Sequence, residues 1–162
     1  ELMKAGAEFD IKPFGIRAMD SMRIEKSYRL IPREMSIEYS ALESGLDRFV
    51  KLDKDCDFVG KDALLAWQEK GFVNCFATLE VHGVVDADAR GSEGLYKDGQ
   101  LIGRATSGGY GFRTQKSLAL GLVKTAYGAI GTELEIEILG ERYKATVIDE
   151  SPFDANNEAL RA

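Results

Sequence analysis

One histidine, two cysteines and a glycine-rich pentapeptide are the first residues in this 162-residue chain whose types could do chemistry. His82 sits beside Gly83 in a segment that alternates like a strand. A Ser-His-Asp triad or a histidine-rich metal site would have to be built around that one imidazole, so a strand histidine with a satisfied hydrogen bond is the better reading. Cys56 and Cys75 lie 19 residues apart, with no histidine at a ligand spacing. Zinc needs three or four nitrogen or sulfur ligands, so no metal is expected. Two free thiols in a reducing compartment fit better than a lone disulfide. Ser107-Gly108-Gly109-Tyr110-Gly111 begins like a dinucleotide fingerprint, but Thr114 stands where the third glycine belongs and a strand, not a helix, follows. It reads as a wide connection between two strands. Asp53, Asp55 and Asp57 alternate without the glycine and glutamate of a calcium loop, which makes them a solvated acidic turn. None of these groups forms a self-contained active site, and no catalytic residue is assigned.

The elements that would hold such groups fall into two parts. Of 17 glycines, residues 1–70 hold 4 and the remainder of the chain holds 13, so turn chemistry is concentrated in the second part. In the first part Glu1 to Glu8 reads as a short helix ending before Pro13. From Gly15 to Lys26, Ile16, Met19 and Met22 recur every third position and predict one buried stripe. Ser40-Ala41-Leu42-Glu43 has the form of a capping box, with Leu46, Phe49 and Val50 lining the helix behind it. Gly60 to Lys70 predicts a further helix, with Ala63, Leu64 and Trp67 inward and Gly71 as its stop.

The second part reads as strands. Asn74 to His82 alternates, Asp98-Gly99 is a two-residue hairpin signal, and Ser117 to Thr125 is rich in Leu and Val. Glu133, Glu135 and Glu137 alternate with Leu134, Ile136 and Ile138, and Gly140-Glu141 turns the chain into a last strand from Arg142 to Asp149. The fold class is therefore α+β: helices followed by five or six antiparallel strands in a small barrel or sandwich.

Composition excludes several function classes. With 21 Lys and Arg against 27 Asp and Glu the net charge is −6, and no basic run is present to release counterions from a phosphate backbone, so nucleic acid is not a partner. No apolar run approaches the roughly 20 residues of a membrane helix, and no secretory leader opens the chain; a cytoplasmic setting is expected. The chain opens at Glu1 rather than a methionine, which reads as a piece of a longer polypeptide.

Several segments taken in order resemble one family. Gly15-Ile16-Arg17-Ala18-Met19-Asp20-Ser21-Met22-Arg23-Ile24-Glu25 resembles the late helix of the folate-binding part of the aminomethyltransferases, the family of the glycine cleavage T-protein. Ala41-Leu42-Glu43-Ser44-Gly45-Leu46, Lys51-Leu52-Asp53-Lys54 and Asp57-Phe58-Val59-Gly60-Lys61-Asp62-Ala63-Leu64 resemble its next motifs. Asp98-Gly99-Gln100-Leu101-Ile102-Gly103 and Thr106-Ser107-Gly108-Gly109-Tyr110 resemble its C-terminal barrel signature, and Ser151-Pro152-Phe153 its closing strand. The resemblance implies the end of a folate-binding domain over residues 1–70 and a C-terminal barrel over 71–162. It implies a parent protein that moves a one-carbon unit from a methylated-amine donor to tetrahydrofolate, with the catalytic aspartate upstream of this segment.

Glu25-Lys26-Ser27-Tyr28-Arg29, Glu38-Tyr39 and Arg48-Phe49-Val50 look more like the tails of dimethylglycine and sarcosine dehydrogenases, which carry FAD on a domain upstream. One departure points the same way. Met19 stands where T-proteins have a folate-binding arginine, and a thioether cannot replace a guanidinium fork. An anionic folate needs cations, so Arg17, Arg104 and Arg113 are its candidate contacts, with Tyr110 as a ring that could lie against the pterin or else pack in the core. Two alternatives stand beside the flavin-linked transferase. One is a free T-protein; the other is a non-catalytic barrel that supports and covers the folate domain.

Overall fold

A computed structural model describes residues 1–84 and 86–161. Six antiparallel strands close into a barrel in the order β1-β4-β3-β2-β5-β6. They are β1 (Asn74–Val81), β2 (Gly94–Lys97), β3 (Gln100–Gly111), β4 (Lys116–Lys124), β5 (Glu133–Ile138) and β6 (Glu141–Ile148). Closure gives each strand a hydrogen-bonded neighbour on both sides. The hairpins form where the turn residues call for them: Asp98 and Gly99 both take positive φ between β2 and β3, as do Leu139 and Gly140 between β5 and β6. In β5 the period-two pattern is obeyed throughout, with Leu134, Ile136 and Ile138 buried and the three glutamates outward. Leu79, Leu95, Ala105, Ala119, Val123, Ile136 and Val147 fill the interior.

Strand β4 is apolar on both faces because it is covered on both. Ala119 and Val123 belong to the barrel interior, while Leu118 and Leu120 pack outside it against Ile24. Ile24 comes from α2 (Ile16–Glu25), which crosses β3 and β4. The face that α2 uses is a correction to the periodicity. Ile16, Met19 and Met22 are 77%, 49% and 49% exposed, and the buried positions are Ile24 and Glu25. The contact is largely polar, so the apolar stripe points away from it: Ser21 Oγ donates to the Tyr110 carbonyl at 2.6 Å, and Glu25 Oε1 accepts from the Arg113 and Thr114 amides at 2.8 Å each.

Other expectations for the first part also change. Helix α1 spans only Leu2–Ala5, ends at Gly6, and is followed by a 3-10 turn at Ala7–Phe9. The capping box forms, with the Glu43 amide donating to Ser40 Oγ and the Ser40 amide to Glu43 Oε2, each at 3.1 Å. Yet it opens a single turn, because Gly45 takes φ 64° and the chain leaves the helical path; Phe49 is 70% exposed in a 3-10 turn. Helix α3 (Lys61–Lys70) lies between Gly60 and Gly71 as read, but it buries no residue; Ala63 is exposed, Leu64 half-buried, and Trp67 rests its ring 6.2 Å from that of Phe72. Ser107 to Gly111 is not a connection but the final stretch of β3. Ser151-Pro152-Phe153 is not a strand; it is irregular, and the Phe153 amide donates to the Glu25 carbonyl at 3.1 Å before α4 (Glu158–Arg161).

Candidate functional site

A cleft of about 710 Å³ lies where α2 meets the end of β3 and the connection around residues 86–93. That size lies within the range of small-molecule sites. Gly108 and Gly109 are part of its lining. A Cβ on Gly108 would stand 2.5 Å from the Ala89 carbonyl oxygen, and one on Gly109 would stand 3.4 Å from Ile24 Cδ1. Gly108 is thus present for close approach of the connection, while a side chain at Gly109 would meet Ile24 of α2 only in ordinary contact.

Charge on the walls is divided between committed and free groups. Asp20 accepts from Arg23 Nε at 2.6 Å, Asp88 from Ser117 Oγ at 2.8 Å, and Glu93 from the Arg90 and Gly91 amides at 2.8 and 2.7 Å. Arg33 Nη1 donates to the Arg90 carbonyl at 3.1 Å. Among the described residues, the guanidinium groups of Arg17 and Arg90 have no ion pair or hydrogen bond, and both line the cleft. Asp86 is the remaining carboxylate on the wall. Tyr110 does not pack in the core: it is 40% exposed and meets Phe112 edge-on, ring centroids 5.1 Å apart. Such a cleft can offer guanidinium forks to carboxylates and an aromatic surface to a flat ring.

The four residues singled out in the sequence therefore separate. Arg17 and Tyr110 line the cleft together. Arg104 lies elsewhere, paired with Glu38 and 5.8 Å from the Tyr39 ring centroid. Burial works against its charge, but Tyr39 and Glu38 outweigh that and hold it above its ordinary value. Arg113 stacks its guanidinium 5.6 Å from the Phe153 ring centroid. Sequence reasoning missed Arg33, Arg90 and Phe112. The two arginines sit in irregular connections without periodicity, and Phe112 follows a strand end that reads as a loop.

Remaining motif residues play local parts. His82 Nε2 lies 2.9 Å from Thr146 Oγ1, just past β1. Cys56 and Cys75 are free thiols, and burial pushes the Cys75 thiol up from its ordinary value. Among the described residues no cluster of metal-ligating side chains is present, and no helix is long and apolar enough to cross a membrane.

Comparison with known proteins places these features. Residues 75–154 match the glycine cleavage T-protein C-terminal barrel domain, and residues 1–54 match the GCVT N-terminal domain. Rat mitochondrial dimethylglycine dehydrogenase is 40% identical over 149 residues, which is 92% of this chain and 17% of that protein. An aminomethyltransferase of Desulfitobacterium hafniense is 37% identical over 147 residues, covering 91% of this chain and 40% of that one. This chain thus spans less than half the length of either relative. In structure it superposes with a TM-score of 0.85 on the glycine cleavage system aminomethyltransferase T from Bartonella henselae, at 24% identity, over 95% of this chain and 43% of that one. That likeness carries the fold: a closed barrel with helices packed outside it.

Proposed function

The chain belongs to the glycine cleavage T-protein family, as the segment that includes its C-terminal barrel, and from this membership we propose that it serves a tetrahydrofolate-dependent one-carbon transferase of the dimethylglycine or sarcosine dehydrogenase type. The observation that carries the reading is the cleft, where Arg17 and Arg90, unpaired among the described residues, share one wall system with the Tyr110–Phe112 pair. Folate combines a flat pterin with a carboxylate tail, and this donor set suits both ends. The guanidinium groups hold and orient the tail, and the aromatic edge limits water around the ring. Tetrahydrofolate, when bound, supplies the nucleophilic amines that accept the one-carbon unit. The partners of the parent protein are then folate and a methylated amine.

FAD belongs, in this reading, to a separate domain of the parent. The residues here do not fit it: Ser107 to Gly111 is committed to β3 and Ala89 covers Gly108, so no amide cradle is open to a pyrophosphate. Arg104 and Arg113 are structural arginines, in keeping with their Glu38 and Phe153 partners.

A second reading has its own support. The barrel interior is filled by side chains, and the barrel's polar contacts with the preceding segment are satisfied, as a purely supporting module would require. One assay separates the two. The intact native polypeptide carrying this sequence is given dimethylglycine or sarcosine, and methylenetetrahydrofolate is measured against free formaldehyde. We expect tetrahydrofolate to capture the one-carbon unit in wild type, and paired R17E and R90E substitutions to shift the product toward formaldehyde. An unchanged partition would leave the cleft no part in folate use and favour the supporting role.

A further inference from the structure

Glu34 takes no part in the reading above, although its side chain is wholly excluded from solvent. It lies in the irregular stretch after α2, yet its carboxylate reaches two other elements. Oε1 accepts from Thr106 Oγ1 at 2.6 Å and from Ser107 Oγ at 2.5 Å, both on β3. Oε2 accepts from the Leu30 amide at 2.9 Å and lies 3.6 Å from Arg23 Nη1 on α2. Arg23 in turn donates through Nη2 to Ser107 Oγ at 2.8 Å. Consecutive strand residues normally point to opposite faces. Here the register of β3 against β4 shifts between Ala105 and Ser107, and this bulge turns two successive hydroxyls toward one carboxylate oxygen.

We propose that Glu34 is a positioning residue for the cleft: by binding Arg23 on α2 and Thr106 and Ser107 on β3 at once, it sets where α2 stands against the end of β3. The proposal rests on the reading of the cleft as a folate site. Arg17 and Arg23 share one rigid helix, six residues or about 9 Å apart along its axis. A displacement at Arg23 is therefore carried to Arg17 and alters its place relative to Tyr110. An apolar side chain could fill the same volume, but the Leu30 amide, the Thr106 and Ser107 hydroxyls and the Arg23 guanidinium would all lose an acceptor. What it could not do is bind the guanidinium and both hydroxyls in one geometry.

The test uses the intact native polypeptide with E34Q, which keeps the shape but removes the charge. Two quantities are read at a temperature where circular dichroism shows the variant folded. One is the dissociation constant of folinate, the stable formyl derivative of tetrahydrofolate; the other is amide hydrogen exchange in α2 compared with β5 and β6. We expect the dissociation constant to rise about tenfold, equivalent to about 1.4 kcal/mol, with faster exchange in α2 and none of that change in β5 or β6. S107A removes the shared hydroxyl from the strand side; it should move both readouts the same way by a smaller factor, and it decides the matter should E34Q not fold. A folded variant with wild-type folinate affinity overturns the proposal, as does exchange that rises equally throughout the barrel. Absence of folinate binding by wild type is a different failure: it removes the folate reading itself and this inference with it.

Discussion

In the barrel, Leu79, Leu95, Leu120 and Ile136 are sealed from water and every strand has two hydrogen-bonded neighbours. Between Lys26 and Gly60 regular structure is limited to one 3-10 turn, and that stretch is held mainly by side chains. Arg29 donates to the carbonyls of Ser27, Ser44 and Gly45 at 3.0, 2.9 and 3.1 Å, pairs with Glu150, and lies 3.7 Å from the Phe76 ring centroid. Ser27 and Thr78 share a buried hydroxyl contact at 2.8 Å, and Ser44 Oγ donates to the Glu34 carbonyl at 2.8 Å. The difference separates two ways to specify a structure. Apolar alternation specifies a sheet without naming partners, whereas a polar anchor works only when each donor meets its acceptor. The cleft lies at the junction, so its geometry depends on the second kind.

The sharpest way to break this contrast is to remove a core residue. Leu79→Ala should cost about 2–5 kcal/mol in urea unfolding. Both regions should be lost in one transition, because the irregular stretch is anchored on β1 at Phe76 and Thr78. Separate transitions would show that the first region holds itself together. Next in size is Arg29→Ala, which strips three carbonyls and Glu150 of their donor at once. The expected cost is about 2–3 kcal/mol, with amide exchange rising between residues 27 and 50 and unchanged in β5 and β6. Equal loosening of the barrel would contradict the division of labour.

The smallest effect concerns pH. Desolvation works against ionised Asp154, but the Ala159 and Glu158 amides, with Lys26 nearby, hold its carboxyl below the ordinary value. A depressed carboxyl stabilises fully above its unfolded value of about 3.9, and that contribution is lost as pH falls through the folded value. The melting temperature of D154N should therefore lie slightly below wild type at neutral pH and converge with it in acid. A gap that persists in acid would assign Asp154 a role other than its charge.

Legibility in the sequence follows the same division. Strand β5 was readable residue by residue, since one face meets the core and the other meets water. The Ser40–Glu43 box was readable as a local motif, but its length was not, because Gly45 ends the turn and no apolar face carries it further. Ile16, Met19 and Met22 misled because periodicity registers an apolar stripe whether or not this chain covers it; the stripe is bare here, while Ile24 makes the apolar contact and Ser21, Arg23 and Glu25 the polar ones. Gly108 of β3 resembled a loop residue because its purpose, space for Ala89, lies in the tertiary structure. The candidate site divides for a related reason: Arg17 and Tyr110 sit in recognisable motifs, whereas Arg33 and Arg90 reach the cleft only through the path of irregular chain and Phe112 follows a strand end that reads as a loop.

The central claim is that folate meets this segment at the α2–β3 cleft, and titration of tetrahydrofolate into the intact native polypeptide tests it most directly. Paired charge reversal at Arg17 and Arg90 should raise the dissociation constant by about tenfold or more, while the same change at Arg104 and Arg113 should leave affinity near wild type in protein that remains folded. Equal affinity in wild type and the Arg17–Arg90 pair, or a loss confined to the Arg104–Arg113 pair, would contradict the account.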